Sequence, residues 1–116
     1  MSNPTDSDLK DVAGWLRTTV DNLDIDYKSE PMSLYEKSAK EMYESYDEFP
    51  KDKKRTDKII KLLKKGESPL PIYVEKDDPY NFVMEGRHRM VAFYLLGHKE
   101  VMVARVSSKN KNKIKV

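Results

Sequence analysis

The sequence contains no cysteine, which excludes disulfides, zinc–thiolate sites, iron–sulfur clusters and cysteine nucleophiles. Its apolar runs are only a few residues long, whereas a membrane-spanning helix needs about 20 apolar residues. The start, MSNPTDSDLK, lacks the basic and apolar stretches of a secretory signal peptide. We therefore expect a soluble, cytoplasmic chain, and its 116 residues suffice for one domain with one modest core.

Charge is distributed unevenly along the chain. Residues 1–50 carry 12 acidic and 5 basic side chains, a balance of −7, whereas residues 51–116 carry 8 acidic and 17 basic, a balance of +9. The basic half indicates a polyanionic partner, although lysines also populate solvated helix faces. The acidic half would suit contact with a protein partner, including by mimicry of nucleic acid.

Hydrophobic periodicity predicts an α/β (α+β) fold, a small mixed sheet with surrounding helices. The predicted helices cover residues 7–22, 33–46, 57–65 and 88–96, and the predicted strands cover residues 71–76, 80–84 and 101–106. Residues 24–31 alternate like an edge strand or an extended link. Ser33 and Glu36 have the spacing of a capping box at the start of the helix 33–46. Thr56 is predicted to cap the helix 57–65. Gly66 and Gly97 are expected just past two helix ends.

Three segments follow from this reading of the chain. Residues 1–56 are expected to form a helical segment that packs on a core of residues 57–106. Residues 107–116 are expected to form a flexible basic tail, because lysine alternates there with asparagine.

The stretch FVMEGRHRMVAFYLLG places a basic triplet at the start of a predicted helix. Gly86 has no Cβ, so a phosphate could approach the backbone, and the helix start offers unpaired N–H groups. Arg87 and Arg89 supply planar donors for phosphate oxygens, and His88 can donate a hydrogen bond or accept a proton. Glu85 could hold a divalent metal or act as a base. Alternatively, the arginines simply pair with carboxylates such as Glu85.

The C-terminal half resembles the ParB/sulfiredoxin-like superfamily over about residues 58–106. The similarity lies in Pro71-Ile72-Tyr73-Val74, in Gly86-Arg87-His88-Arg89, in Leu96-Gly97 and in the strand from Val101 to Val106. The resemblance implies a small α/β domain that binds nucleotide phosphates through residues 86–89, with His88 and Arg89 the firmest matches. Members include CTP-gated DNA clamps, ATP-dependent sulfinic acid reductases, free-serine kinases and nucleases. Arginine at position 87 replaces the cysteine that the reductases need, and Glu85 matches the acidic residue of the kinases.

Three functional hypotheses follow. The leading one is a domain that binds ATP, ADP or CTP and transfers or hydrolyses a phosphoryl group, with Mg²⁺ on Glu85 and with Glu85 and His88 as catalytic residues. The second is a nucleic-acid-binding or nuclease module, in which Arg87, Arg89 and the lysine-rich faces contact backbone phosphates. The third is a regulatory protein without catalysis that binds a protein partner through its acidic half.

Overall fold

The computed structural model describes residues 6–109, which form one mixed four-stranded sheet with helices on both faces. The strands are β1 (Leu23–Pro31), β2 (Ile72–Glu75), β3 (Val83–Glu85) and β4 (Glu100–Ser108). The helices are α1 (Asp6–Trp15), α2 (Glu36–Glu44), α3 (Pro50–Lys64) and α4 (Arg87–Leu95), with short 3₁₀ turns at Val20–Asn22 and Met32–Leu34. The predicted α+β class is confirmed.

The strands lie in the order β1-β4-β2-β3. β4 pairs antiparallel with β1, with Ile25 opposite Val106, and parallel with β2, with Tyr73 opposite Ala104. β3 pairs antiparallel with β2 and forms the other edge. Residues 24–31 were expected to be an edge strand or a link, and they belong to the nine-residue edge strand β1.

Each face of the sheet carries its own apolar core, because neighbouring strand residues point to opposite sides. Ile72 and Val74 belong to the core under α2, α3 and α4, whereas Tyr73 between them belongs to the core under α1. Within residues 6–109 no helix is both long and apolar enough to pass through a membrane.

The first helix is shorter than predicted. The apolar spacing that predicted a helix over residues 7–22 continues after Trp15, although the helix ends there. α1 ends at Trp15, and Arg17 takes a left-handed conformation with φ +53°. The N–H of Thr18 then donates to the carbonyl of Ala13 at 2.9 Å, which closes the helix end. At Gly66 and Gly97, by contrast, the expected helix ends are confirmed, and both glycines have positive φ.

Both predicted helix caps are wrong. Ser33 lies in the 3₁₀ turn Met32–Leu34, and α2 begins only at Glu36. Thr56 lies in the middle of α3, which begins at Pro50. The Thr56 side chain is buried, and its hydroxyl shares a hydrogen bond of 2.6 Å with the hydroxyl of Tyr46. Proline is favoured at the first position of a helix, since its missing N–H has no partner there in any case.

The predicted strand at 80–84 is displaced towards the glycine, and β3 covers Val83–Glu85. The residues before it form a loop in which the Asp78 carboxylate accepts the N–H groups of Tyr80 and Phe82, both at 2.9 Å. The predicted segment boundary at residue 56 falls inside α3, and residues 107 and 108 belong to β4. Residue 109 lies in a turn, and residues 110–116 of the predicted flexible tail lie outside the described residues.

Candidate functional site

The chain turns sharply between β3 and α4 at Gly86. This residue has φ +90° and ψ 25°, a left-handed conformation that favours glycine. A Cβ placed there would lie 3.2 Å from the Cα of Ile72 and 3.3 Å from Nη1 of Arg89. The missing side chain therefore allows close packing against β2. The sequence had suggested a different reason, the approach of a phosphate.

Arg87 and His88 face a cleft of about 510 Å³ bounded by α2, the start of α3 and the start of α4. Phe49, Asp52 and Phe82 also line it. The remaining lining residues are Ser38, Glu41, Met42, Ser45, Val83 and Met90. A volume of this size is typical of small-molecule sites, which span roughly 300–1,000 Å³.

The Arg87 guanidinium is exposed at this cleft, and it has no hydrogen-bond or ion-pair partner within the described part of the chain, residues 6–109. It lies near the Tyr46 hydroxyl. Burial raises the pKa of Tyr46, and the positive charge of Arg87 partly opposes that rise. A cation without a partner, held beside a cleft, is a ready contact for an anionic ligand.

His88 is held by a carboxylate that the sequence did not single out. Its Nε2 lies 3.0 Å from Oδ1 of Asp52, a residue in the first turn of α3. When Nε2–H donates to this carboxylate, the neutral ring keeps a lone pair on Nδ1. The two residues are 36 positions apart in the sequence, so no local spacing indicated the pair.

Two helices begin at this cleft. Arg87 and His88 are the first two residues of α4, and Phe49 and Asp52 lie at the start of α3. Helix N-termini carry a partial positive charge and unpaired N–H groups. Asp52 and Glu41 place two carboxylates in the lining of the cleft, beside the single guanidinium of Arg87. The helix starts offer N–H groups to the phosphate of a ligand.

Arg89 points away from the cleft, into the fold. Its Nη2 lies 2.9 Å from Oδ1 of Asp8 in α1, and its Nη1 donates to the carbonyl of Pro71 at 3.1 Å. Both side chains of this ion pair are largely buried. The structure thus separates the basic triplet, with Arg87 and His88 at the cleft and Arg89 bound to α1. Sequence reasoning did not identify Asp8 as a partner of Arg89, because the two residues are 81 positions apart.

Glu85 also lies on the α1 side of the sheet and does not line the cleft. Its Oε1 accepts the N–H of Gly86 at 3.2 Å. Burial raises the pKa of the Glu85 carboxyl, and the nearby carboxyls of Asp11 and Asp8 raise it further. The structure therefore does not bring Glu85 and His88 together, as a shared acid–base role would require.

The predicted Mg²⁺ role of Glu85 stays a prediction. The carboxyls nearest to Glu85 are those of Asp11 and Asp8. Among residues 6–109, no group of three or more histidine, cysteine, aspartate or glutamate side chains is placed to hold a metal ion.

No family model, curated protein or solved structure matches this chain. The resemblance to the ParB/sulfiredoxin-like superfamily therefore stays a prediction from the motifs quoted above.

Proposed function

We propose that the cleft binds a nucleotide such as ATP, ADP or CTP, with its phosphates at the start of α4. The observation that carries this proposal is the Arg87 guanidinium, which has no partner within residues 6–109 and stands where two helices begin. The charge, the unpaired helix N–H groups and the volume of the cleft all suit a small phosphorylated ligand. The resemblance in residues 86–89 supports the same ligand class.

We propose further that the bound nucleotide is cleaved or transferred, with His88 as the base. Asp52 holds Nε2 and steadies the ring when it becomes positively charged. His88 accepts at Nδ1 the proton of an attacking water or hydroxyl while that oxygen bonds to the terminal phosphorus. The bond between phosphorus and the leaving phosphate oxygen breaks, and this oxygen keeps the electron pair. Arg87 offsets the negative charge on the transferred group. This step uses neither Glu85 nor a metal on it.

Binding is tested by thermal shift with ATP, ADP, CTP and GTP, each with and without Mg²⁺, because a ligand of the folded state raises Tm. Mg²⁺ is varied because the Glu41 carboxylate also lines the cleft and would repel uncompensated phosphates. Replacing Arg87→Gln should weaken the best ligand by about ten-fold or more, since a hydrogen bond to a charged group contributes about 1.5–3 kcal/mol. The matched control Arg55→Gln, an exposed residue of α3 outside the cleft, should leave affinity unchanged.

Catalysis is tested by phosphate release. Asp52→Asn removes the charge that steadies the imidazolium, so turnover should fall by roughly 10²-fold with nucleotide affinity nearly retained. Asp57→Asn is the control, because Asp57 is an exposed residue of the same helix that pairs with Lys53. If no nucleotide raises Tm, or if Arg87→Gln binds as tightly as the wild type, the binding proposal is wrong. If nucleotides bind but Asp52→Asn releases phosphate at the wild-type rate, only the catalytic part is wrong.

A further inference from the structure

Two phenylalanines stand half exposed at the cleft. Phe49 is 52% exposed and Phe82 is 50% exposed, and both line it. Phenylalanine is an apolar side chain that folding normally buries, so two such rings beside one cleft leave apolar surface in water. A ligand with an apolar face would cover that surface.

Hydrogen bonds hold the backbone that carries both rings. The N–H of Phe82 donates to Asp78, and the preceding residue, Asn81, accepts a hydrogen bond of 2.7 Å from Nη2 of Arg105. The N–H of Phe49 donates to the carbonyl of Ser45 at 3.2 Å. Phe49 also directly precedes Pro50, which restricts its backbone. The backbone at this end of the cleft therefore loses little further freedom when a ligand binds.

We infer that Phe49 and Phe82 bind the base of the nucleotide, so that the base contributes to affinity at this site in addition to the phosphates. This inference rests on the proposed function, which places the phosphates at Arg87 in the same cleft. Every nucleobase has a flat π-face that stacks on an aromatic ring, so this contact is tolerant of base identity. Purine and pyrimidine nucleotides should therefore both bind more tightly than the corresponding phosphate without a base.

Trp15 provides an optical signal for this contact. It is the only tryptophan in the chain, and its ring meets the ring of Phe82 edge to face with centroids 5.7 Å apart. A base that stacks on Phe82 should change the surroundings of the Trp15 indole. Trp15 itself does not line the cleft, so we expect a phosphate at the start of α4 to leave it unaffected. Tryptophan fluorescence thus separates occupation of the aromatic end from occupation of the phosphate end.

The experiment compares ADP, CDP and inorganic pyrophosphate, which share a diphosphate, by calorimetry and by Trp15 fluorescence. The diphosphates avoid turnover of a terminal phosphate during the titration. We expect ADP and CDP to bind roughly 5- to 100-fold more tightly than pyrophosphate, the range that one base–aromatic contact supplies. Only ADP and CDP should alter the fluorescence.

Phe49→Leu and Phe82→Leu should each weaken ADP and CDP binding and leave pyrophosphate binding unchanged. Tyr80→Leu is the control, because Tyr80 is 88% exposed and lies outside the cleft, and it should change neither. Equal affinities for ADP and pyrophosphate, with unaltered binding in both phenylalanine variants, would overturn the inference and leave the proposed phosphate site standing. If neither ADP, CDP nor pyrophosphate binds, the proposed function fails together with this inference.

Discussion

Replacing Arg89 by methionine should destabilise the fold and leave the cleft intact. Methionine keeps most of the apolar stem but removes the hydrogen bonds to Oδ1 of Asp8 at 2.9 Å and to the carbonyl of Pro71 at 3.1 Å. Asp8 is only 5% exposed, so its carboxylate would lose its cationic partner while buried. Removing one member of a buried ion pair typically costs about 3–5 kcal/mol.

For a domain of this size, 1 kcal/mol corresponds to a change in Tm of about 4 °C, so Arg89→Met should lower Tm by roughly 10–20 °C. Urea denaturation followed by circular dichroism gives the free energy directly, and an unchanged m-value would show that the unfolding reaction stays the same. Arg87→Met is the matched control. Its guanidinium is exposed, so the free energy of unfolding should change by only about 0.5 kcal/mol or less.

A double variant isolates the ion pair itself. With Asp8→Asn already present, Arg89→Met should cost clearly less than it does in the wild type, because the two side chains interact directly. Strictly additive effects would contradict a direct pair. A loss below about 1 kcal/mol in Arg89→Met, accompanied by weaker nucleotide binding, would refute the whole argument, because Arg89 would then serve the ligand as the sequence motif alone suggests.

Two further predictions concern other buried or partly buried carboxyls. Glu30→Ala should lower the free energy of unfolding, measured by urea denaturation, by about 3–5 kcal/mol. The largely buried Arg105 would lose the carboxylate that accepts from its Nε at 2.9 Å and from its Nη2 at 2.8 Å. A loss under about 1 kcal/mol would contradict this. The raised pKa of Glu85 means that the folded state binds this proton more tightly than the unfolded state, so stability should fall as pH rises from the ordinary value of 4.5 through the raised pKa. Glu85→Gln keeps an oxygen that can accept the N–H of Gly86. The variant should therefore have a higher Tm than the wild type at about pH 7 and the same Tm near pH 3. Equal changes in Tm at these two pH values would contradict the raised pKa of Glu85.

Helix ends show which local features the sequence could predict. Gly66 and Gly97 mark the ends of α3 and α4 because only glycine takes a positive φ without steric cost. At the end of α1 the same left-handed position is occupied by Arg17, which carries no such signal. The end of α1 was therefore missed, although the closing hydrogen bonds are of the same kind.

The candidate site was predictable in position but not in partners. Gly86 and the basic triplet located the start of α4 correctly. Consecutive helical residues, however, project about 100° apart around the axis, so Arg87, His88 and Arg89 leave the helix in different directions. Asp8 and Asp52 reach the triplet only through the tertiary fold, from 81 and 36 positions away. Pairing over such distances leaves no trace in local spacing.

The pairing of β1 with β4 sets an order of events for the newly made chain. The contact of Glu30 with Arg105 joins positions 75 apart, and β1 pairs along its whole length with β4. At about 5–20 residues per second, a ribosome needs several seconds to make the chain between them. During that interval β1 waits without its partner, and the charged side chains of Asp24, Asp26 and Lys28 along it discourage pairing with a neighbouring nascent chain. Completion of the sheet is thus expected to wait until β4 has been made.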